Sequence, residues 1–218
     1  IPKNKKGVCL FSGGKDSGLA LSIACREAEI VALINCCEKK HPMFHQHDTN
    51  LIELQSKSLK IPIAYSNGHW KESTEIQEIL KQYRLQGVEF VLFGDICSIK
   101  DANRKIKLCE SVGLMPCMPL WNKPFDWLFE EMKKRNIKCL LSSVRPQIKE
   151  YVGKILDNEI YEKFKEIGIN PFGEMGEFHT TLLDIDIFEF PIQYNIKSVY
   201  QCEDKHGEKW EIDVEYYK

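Results

Sequence analysis

The chain contains no Cys-x-x-Cys pair, no apolar run near the ~20 residues that a membrane-spanning helix needs, no low-complexity linker and no internal repeat. It also lacks a marked excess of charge of either sign, its formal net charge being −2. Each absence excludes something. Nine cysteines, an odd number at scattered spacings, make neither a zinc ribbon nor a redox pair, so reduced thiols are expected. Cys9, Cys97, Cys109 and Cys139 lie in apolar surroundings and read as small buried hydrophobes. The near balance of charge argues against a nucleic-acid surface. With no spanning run and no signal-peptide apolar core, the expected location is the cytoplasm. What is left is ordinary for a folded domain, 43% hydrophobic and 28% charged over 218 residues, enough for one large domain or two small ones.

The most informative stretch lies near the amino terminus. Residues 8–11 form a short apolar run, and Leu19, Ala20, Ile23 and Ala24 recur at helical spacing, so the stretch reads strand, tight loop, helix. Between them stand Ser12-Gly13-Gly14-Lys15-Asp16-Ser17. At a helix amino terminus unpaired N–H groups and the positive end of the dipole converge, and two glycines let a phosphate approach the main chain. Such a loop cradles an anion. Lys15 adds a full positive charge, Ser12 and Ser17 add hydroxyl donors, and Asp16 is a carboxylate suited to holding Mg²⁺ against the same phosphates. The loop is not a Walker A motif, because Cys9 and Asp16 stand where that motif needs Gly and Ser or Thr.

Further along, strands and helices alternate. Residues 30–34 read as a strand buried on both faces, 61–65 as a strand whose Pro62 suits an early or edge position, and 88–93 and 114–118 as two more. Helical spacing appears around 51–59, from Ser73 to the stop at Gly87, and over 102–112. The alternation predicts an α/β fold, a Rossmann-like doubly wound parallel sheet with helices on both faces. Strand carboxyl ends in such a sheet open onto a crevice, which directs attention to Asn35-Cys36-Cys37 and to Gly94-Asp95-Ile96. The polar segment 39–48 holds His41, His45 and His47, and it reads as a substrate-facing loop because its spacing fits no metal site.

The pattern changes around Trp121-Asn122-Lys123-Pro124, where a domain boundary is expected, with residues 1–121 forming the nucleotide domain and 122–218 a smaller α+β domain for substrate. A helix over 125–134, a strand over 139–144 and a helix near 159–167 follow. Glu174-Met175-Gly176-Glu177-Phe178-His179-Thr180 gathers two acids and a histidine just before the apolar Leu182-Leu183, which reads as a site. A terminal β-hairpin spans 197–202 and 210–216 around Asp204-Lys205-His206-Gly207.

The hexapeptide 12–17 matches, letter for letter, the signature of the PP-loop ATP pyrophosphatases, which cleave ATP between its α and β phosphates. Over roughly residues 7–190 the chain resembles the diphthine–ammonia ligase family of these enzymes. The features run in the family's order: 12–17, Met43-Phe44-His45 with Asn50, Gly94-Asp95-Ile96, Arg104, Pro119-Leu120-Trp121, Gly173-Glu174 to Thr180, and Asp186-Ile187-Phe188. The terminal hairpin lies outside the resemblance. Two departures concern the second substrate: Met175 and His179 replace a glycine and an acid, and Asp101-Ala102 replaces a Gln-Arg pair. The Gly-Glu-x-Gly-Glu-Phe-His-Thr form resembles a bacterial branch associated with corrinoid metabolism.

The resemblance implies a fold of the adenine nucleotide alpha hydrolase (HUP) type, ATP and Mg²⁺ as cofactors, and ammonia and a carboxylate as partners, either a small molecule or a modified protein side chain. It implies nucleotide contacts from 12–17, Met43, His45, Gly94 and Asp95, and substrate contacts from Arg104, Trp121, Glu174, Glu177, His179 and Thr180. A carboxylate is a poor electrophile; transfer of AMP to it makes a mixed anhydride that ammonia can attack, giving an amide. Lys15 and Asp16 would stabilise the departing pyrophosphate, and Glu174 and Glu177 would bind, orient or deprotonate the nitrogen. A different acid or a carbonyl as substrate, and an ATP- or AMP-binding sensor without turnover, stay open at this point, as does a homo-oligomer.

Overall fold

The computed structural model describes residues 1–37, 49–67 and 74–218. Its first half runs β1 (Lys6–Leu10), α1 (Lys15–Ala24), β2 (Glu29–Cys37), α2 (Thr49–Leu59), β3 (Ile63–Asn67), α3 (Thr74–Leu85), β4 (Phe90–Leu92), α4 (Ile99–Val112) and β5 (Met115–Cys117). The five strands are parallel in the order β3-β2-β1-β4-β5. Val8, Cys9, Ala32, Leu33 and Ile34 are fully buried, as central strands covered on both faces require. Pro62 leads into β3, an edge strand. The strand order reverses between β1 and β4, so the crevice of this sheet opens where residues 11–16 and 93–95 leave their strands.

The second half comprises α5 (Phe125–Lys134), β6 (Lys138–Val144), a short 3-10 helix (Pro146–Tyr151), α6 (Asn158–Glu166), β7 (Phe178–Asp184), β8 (Gln193–Asp204) and β9 (Gly207–Tyr217). Pro124 precedes α5, Asp126 lies in its first turn and Lys133 and Lys134 in its last, an arrangement that complements the helix dipole. The strands of this half form an antiparallel sheet ordered β7-β6-β9-β8. The β8–β9 hairpin is joined to the sheet by the pairs Ser143–Glu211 and Val144–Trp210.

Helix α1 packs between the two sheets and is buried on almost every side, including Leu19, Ala20, Leu21 and Ala24. These join Cys9 and Phe11 of the first half and Leu128, Phe129, Cys139, Leu141 and Leu182 of the second in one apolar cluster. Each leucine and phenylalanine among them contributes about 1.5–3 kcal/mol by leaving water. A helix apolar all round needs cover on both sides, which the second sheet supplies. Cys9, Cys109 and Cys139 are buried as expected, but Cys97 is exposed, because it lies beyond β4 at the rim of the crevice. Among the described residues no helix is long and apolar enough to cross a membrane.

Candidate active site

The loop after β1 has the geometry its glycines allow. Gly13 takes φ +82°, and Gly14 is the extended residue before α1, with no side-chain cap on the helix. β7 lies directly against it: Leu182 N–H donates to Gly13 O at 2.9 Å, and Lys15 N–H donates to Thr180 Oγ1 at 3.2 Å. On the other side, a Cβ at Gly94 would come within 2.7 Å of the Asp16 backbone carbon, so only glycine fits where β4 ends. Ser17 Oγ donates to Gly14 O at 3.1 Å, and the Ser12 and Ser17 hydroxyls are 3.1 Å apart.

Lys15 reaches back under the loop. Its side chain is 4% exposed, its Nζ donates to Asp16 Oδ2 at 2.9 Å, and it lies 4.7 Å and 5.6 Å from the ring centroids of Phe172 and Phe178. The second Asp16 oxygen, Oδ1, is buried with no hydrogen-bond partner. Burial raises the Asp16 carboxyl above the ordinary range; Lys15 opposes the shift and Asp95 adds to it. Asp95 itself is ion-paired with Lys105.

The facing wall is the loop before β7. Asn170 Oδ1 accepts from Phe172 N at 2.9 Å and Glu174 N at 3.5 Å; Glu177 Oε1 accepts from Asn170 N at 3.3 Å and Oε2 from Met175 N at 2.9 Å. Gly173 and Gly176, at φ +76° and +83°, complete the turns. Glu174 is left to present its carboxylate to the crevice, where Oε2 accepts from Cys97 Sγ at 3.5 Å. Burial, then the negative charge of Asp16, pushes the Glu174 pKa up to about 7, with Lys15 opposing.

Ser12, Gly14, Lys15, Asp16, Glu174, His179 and Thr180 thus line one cavity of about 620 Å³, and its far wall is β6 and β9, with Ser142, Ser143, Asp213 and Tyr216. That volume suits a nucleotide-sized ligand. Other expected residues lie elsewhere. Glu177 lines an adjoining cavity with Arg145 and His206, and His179 stands in the wall between the two. Both Glu177 oxygens accept from backbone N–H groups of its own loop, which ties that loop together. Arg104 lies on the outside of α4, 3.6 Å from Asp101 Oδ1, and Trp121 lies in the turn after β5; neither is brought to this cavity. Met43 and His45 fall outside the described residues. Among the described residues no three His, Cys, Asp or Glu side chains gather as a metal site.

The sequence assigns no site role to Cys97, Lys105 or Gln55, and it marks strands over 139–144 and 210–216 without their pairing in one wall. The wall could not have been found, because which strand the hairpin pairs with is not encoded within the hairpin. Gln55 had a signal only as one more member of a helical stripe.

Known protein families match both halves of the chain. A family model described as the diphthamide synthase N-terminal domain matches residues 5–116, and one described as the diphthamide synthase C-terminal domain matches residues 125–218. The second match takes in the terminal hairpin, which lies outside the residues that carry the resemblance; β9 pairs with β6 and is part of the sheet. The chain is similar to the diphthine–ammonia ligases of Mus musculus, at 26% identity over 83% of this chain and 79% of that one, and of Homo sapiens, with the same identity and coverage. A solved chain described as a predicted subunit of tRNA methyltransferase from Methanocaldococcus jannaschii overlaps 83% of this chain and 97% of its own at 15% identity and a TM-score of 0.44.

Proposed function

We propose that this chain, which belongs to the diphthamide synthase family, is an ATP-dependent, AMP-forming ligase that joins ammonia to a carboxylate, with residues 1–121 serving the nucleotide and 122–218 the second substrate. One observation carries the reading: a phosphate-type loop at the start of α1, a buried lysine and a carboxylate titrating near neutrality share one cavity.

In this reading the triphosphate lies on 12–17, with the start of α1 and Lys15 drawing charge toward the β phosphate. The substrate carboxylate attacks the α phosphorus, the bond from that phosphorus to the bridging oxygen breaks, and pyrophosphate leaves with the electron pair. Ammonia then attacks the acyl carbonyl, AMP departs, and the proton lost by nitrogen passes to Glu174. A carboxylate near pKa 7 is a base poised for that step, whereas one in the ordinary range would hold a proton too weakly. Mg²⁺ fits here: Asp16 Oδ1 is a buried, hard oxygen with no partner, and this ion binds through one or two carboxylates plus phosphates and water. When bound it would neutralise phosphate charge.

The test is to incubate the protein with ATP, ammonium and a panel of carboxylic acids that includes a diphthine-bearing protein. AMP and pyrophosphate that depend on both acid and ammonium are the expected products. Formation of ADP would exclude the reading, and ATP binding with no turnover on any acid would favour the sensor.

A further inference from the structure

We infer that Gln55 is a positioning residue for the phosphate loop: its side-chain amide holds the Gly13 carbonyl turned away from the anion, so that the loop presents donors and not acceptors. This deepens the reading of the cavity as an ATP site and rests on it.

A loop cradles phosphate only when its N–H groups face the anion, and a carbonyl turned into the same space would repel it. Here the carbonyls flanking the site are tied into the protein. Phe11 O accepts from Asn35 Nδ2 at 2.8 Å, and Gly14 O accepts from Gly18 N and Ser17 Oγ, both at 3.1 Å. Gly13 O accepts from Leu182 N at 2.9 Å and from Gln55 Nε2 at 3.1 Å, which uses both of its lone pairs. Gly13 is the residue for which this matters most. At φ +82° it has the conformational freedom of glycine, and nothing intrinsic keeps its carbonyl from turning over.

Gln55 is built for this task at some expense to the fold. It is fully buried on α2, and the same nitrogen also donates to Leu182 O at 2.7 Å. Two carbonyl acceptors on one nitrogen fix the amide's orientation, since flipping it would set a third oxygen against them. Its own Oε1 is then buried without a partner. An orphaned acceptor destabilises a core, so packing alone would be better served by an apolar side chain of the same length. Elsewhere α2 is tied to the second half by bonds that do not touch the loop: Ser58 Oγ donates to Phe190 O at 2.5 Å, and Asn50 Nδ2 donates to Tyr216 O at 2.9 Å.

Those other ties supply the control. In the full chain, Gln55→Met removes the donor at nearly constant volume, Gln55→Glu keeps the shape but removes the fixed pair of donors, and Ser58→Ala removes a tie remote from the loop. Calorimetric titration with ATP is expected to show binding weakened roughly tenfold in Gln55→Met and at least as much in Gln55→Glu, and unchanged within about twofold in Ser58→Ala, although Gln55→Glu and Ser58→Ala lower the Tm. In turnover, KM for ATP should rise more than kcat falls. A folded Gln55→Met that binds ATP within about twofold of the unmodified chain overturns the inference; should that variant not fold, Gln55→Glu decides alone by the same criterion. An unmodified chain that binds no ATP overturns the functional reading and this inference with it, and the two failures are thereby told apart.

Discussion

The two loops that face each other across the cavity are held in opposite ways. The loop at 12–16 is fastened from outside, by Thr180 and Leu182 of β7 and by Gln55 of α2. The loop at 170–177 is fastened chiefly from within, by Asn170 and Glu177, whose side chains bind its own N–H groups, with Arg145 donating to the Gly176 and Glu177 carbonyls at its end. The difference follows from what each must offer. A cradle for phosphate must turn its carbonyls away from the ligand, and here foreign groups do so, Leu182 N–H and Gln55 Nε2 on Gly13 O, while Lys15 N–H donates to Thr180 Oγ1. A loop that offers a side chain can commit its backbone to itself, leaving Glu174 to face the crevice.

This contrast can be broken experimentally at its ends. The largest effect is expected from Glu174→Gln, which should slow amide formation by roughly 10²–10⁴ while leaving ATP affinity nearly intact, as measured by single-turnover kinetics beside calorimetry. A variant with full activity would remove Glu174 from the chemistry. Next in size is Lys15→Ala, which deletes a charge-assisted contact of about 1.5–3 kcal/mol and so weakens ATP binding at least about tenfold. Unchanged affinity in a titration would contradict the phosphate role of the loop.

Glu177→Gln sharpens the comparison within one loop. An amide can accept one of the two N–H bonds that the carboxylate now accepts, so about 1 kcal/mol of stability should be lost with only a small change in rate. A rate loss equal to that of Glu174→Gln, at unchanged Tm, would return Glu177 to the acid–base machinery.

A further effect is on stability against pH. Glu174 titrates near 4.5 when unfolded and near 7 when folded, so between those values the folded chain holds a proton that the unfolded chain releases. Stability should therefore be highest below about pH 4.5 as far as this group is concerned, fall as pH rises to about 7, and be level above. Denaturant midpoints at several pH values in the unmodified chain and in Glu174→Gln measure it, the slope being absent from the variant.

Much of this architecture was legible because it rests on local rules. Helix α5 was read over the same residues that form it, since Leu128, Phe129 and Met132 supply the buried face and Pro124 the start. The strand-loop-helix at 8–24 and the edge position of the strand after Pro62 follow from turn chemistry and from proline's missing donor. The candidate site was legible only in part. Glu174 and Glu177, three residues apart with similar neighbours, were read as equivalent, and only the path of the 170–177 loop separates them. The resemblance implies contacts from Arg104 and Trp121, but a match along the chain says nothing of the direction in which α4 or the turn after β5 presents them.

Residue pattern alone was enough for the existence and order of the elements, with bounds within a few residues for most, for the alternation that makes a parallel sheet, and for the anion-cradling character of residues 12–17, because these rest on local chemistry or on a period of two or 3.6. Tertiary structure alone decided that β9 joins β6, that α1 is covered on both sides, that Gln55 and Thr180 meet the phosphate loop, and that Glu174 titrates near neutrality. These depend on which distant segments exclude water together, and burial, the largest cause of the Glu174 shift, exists only once both halves of the chain have closed on α1.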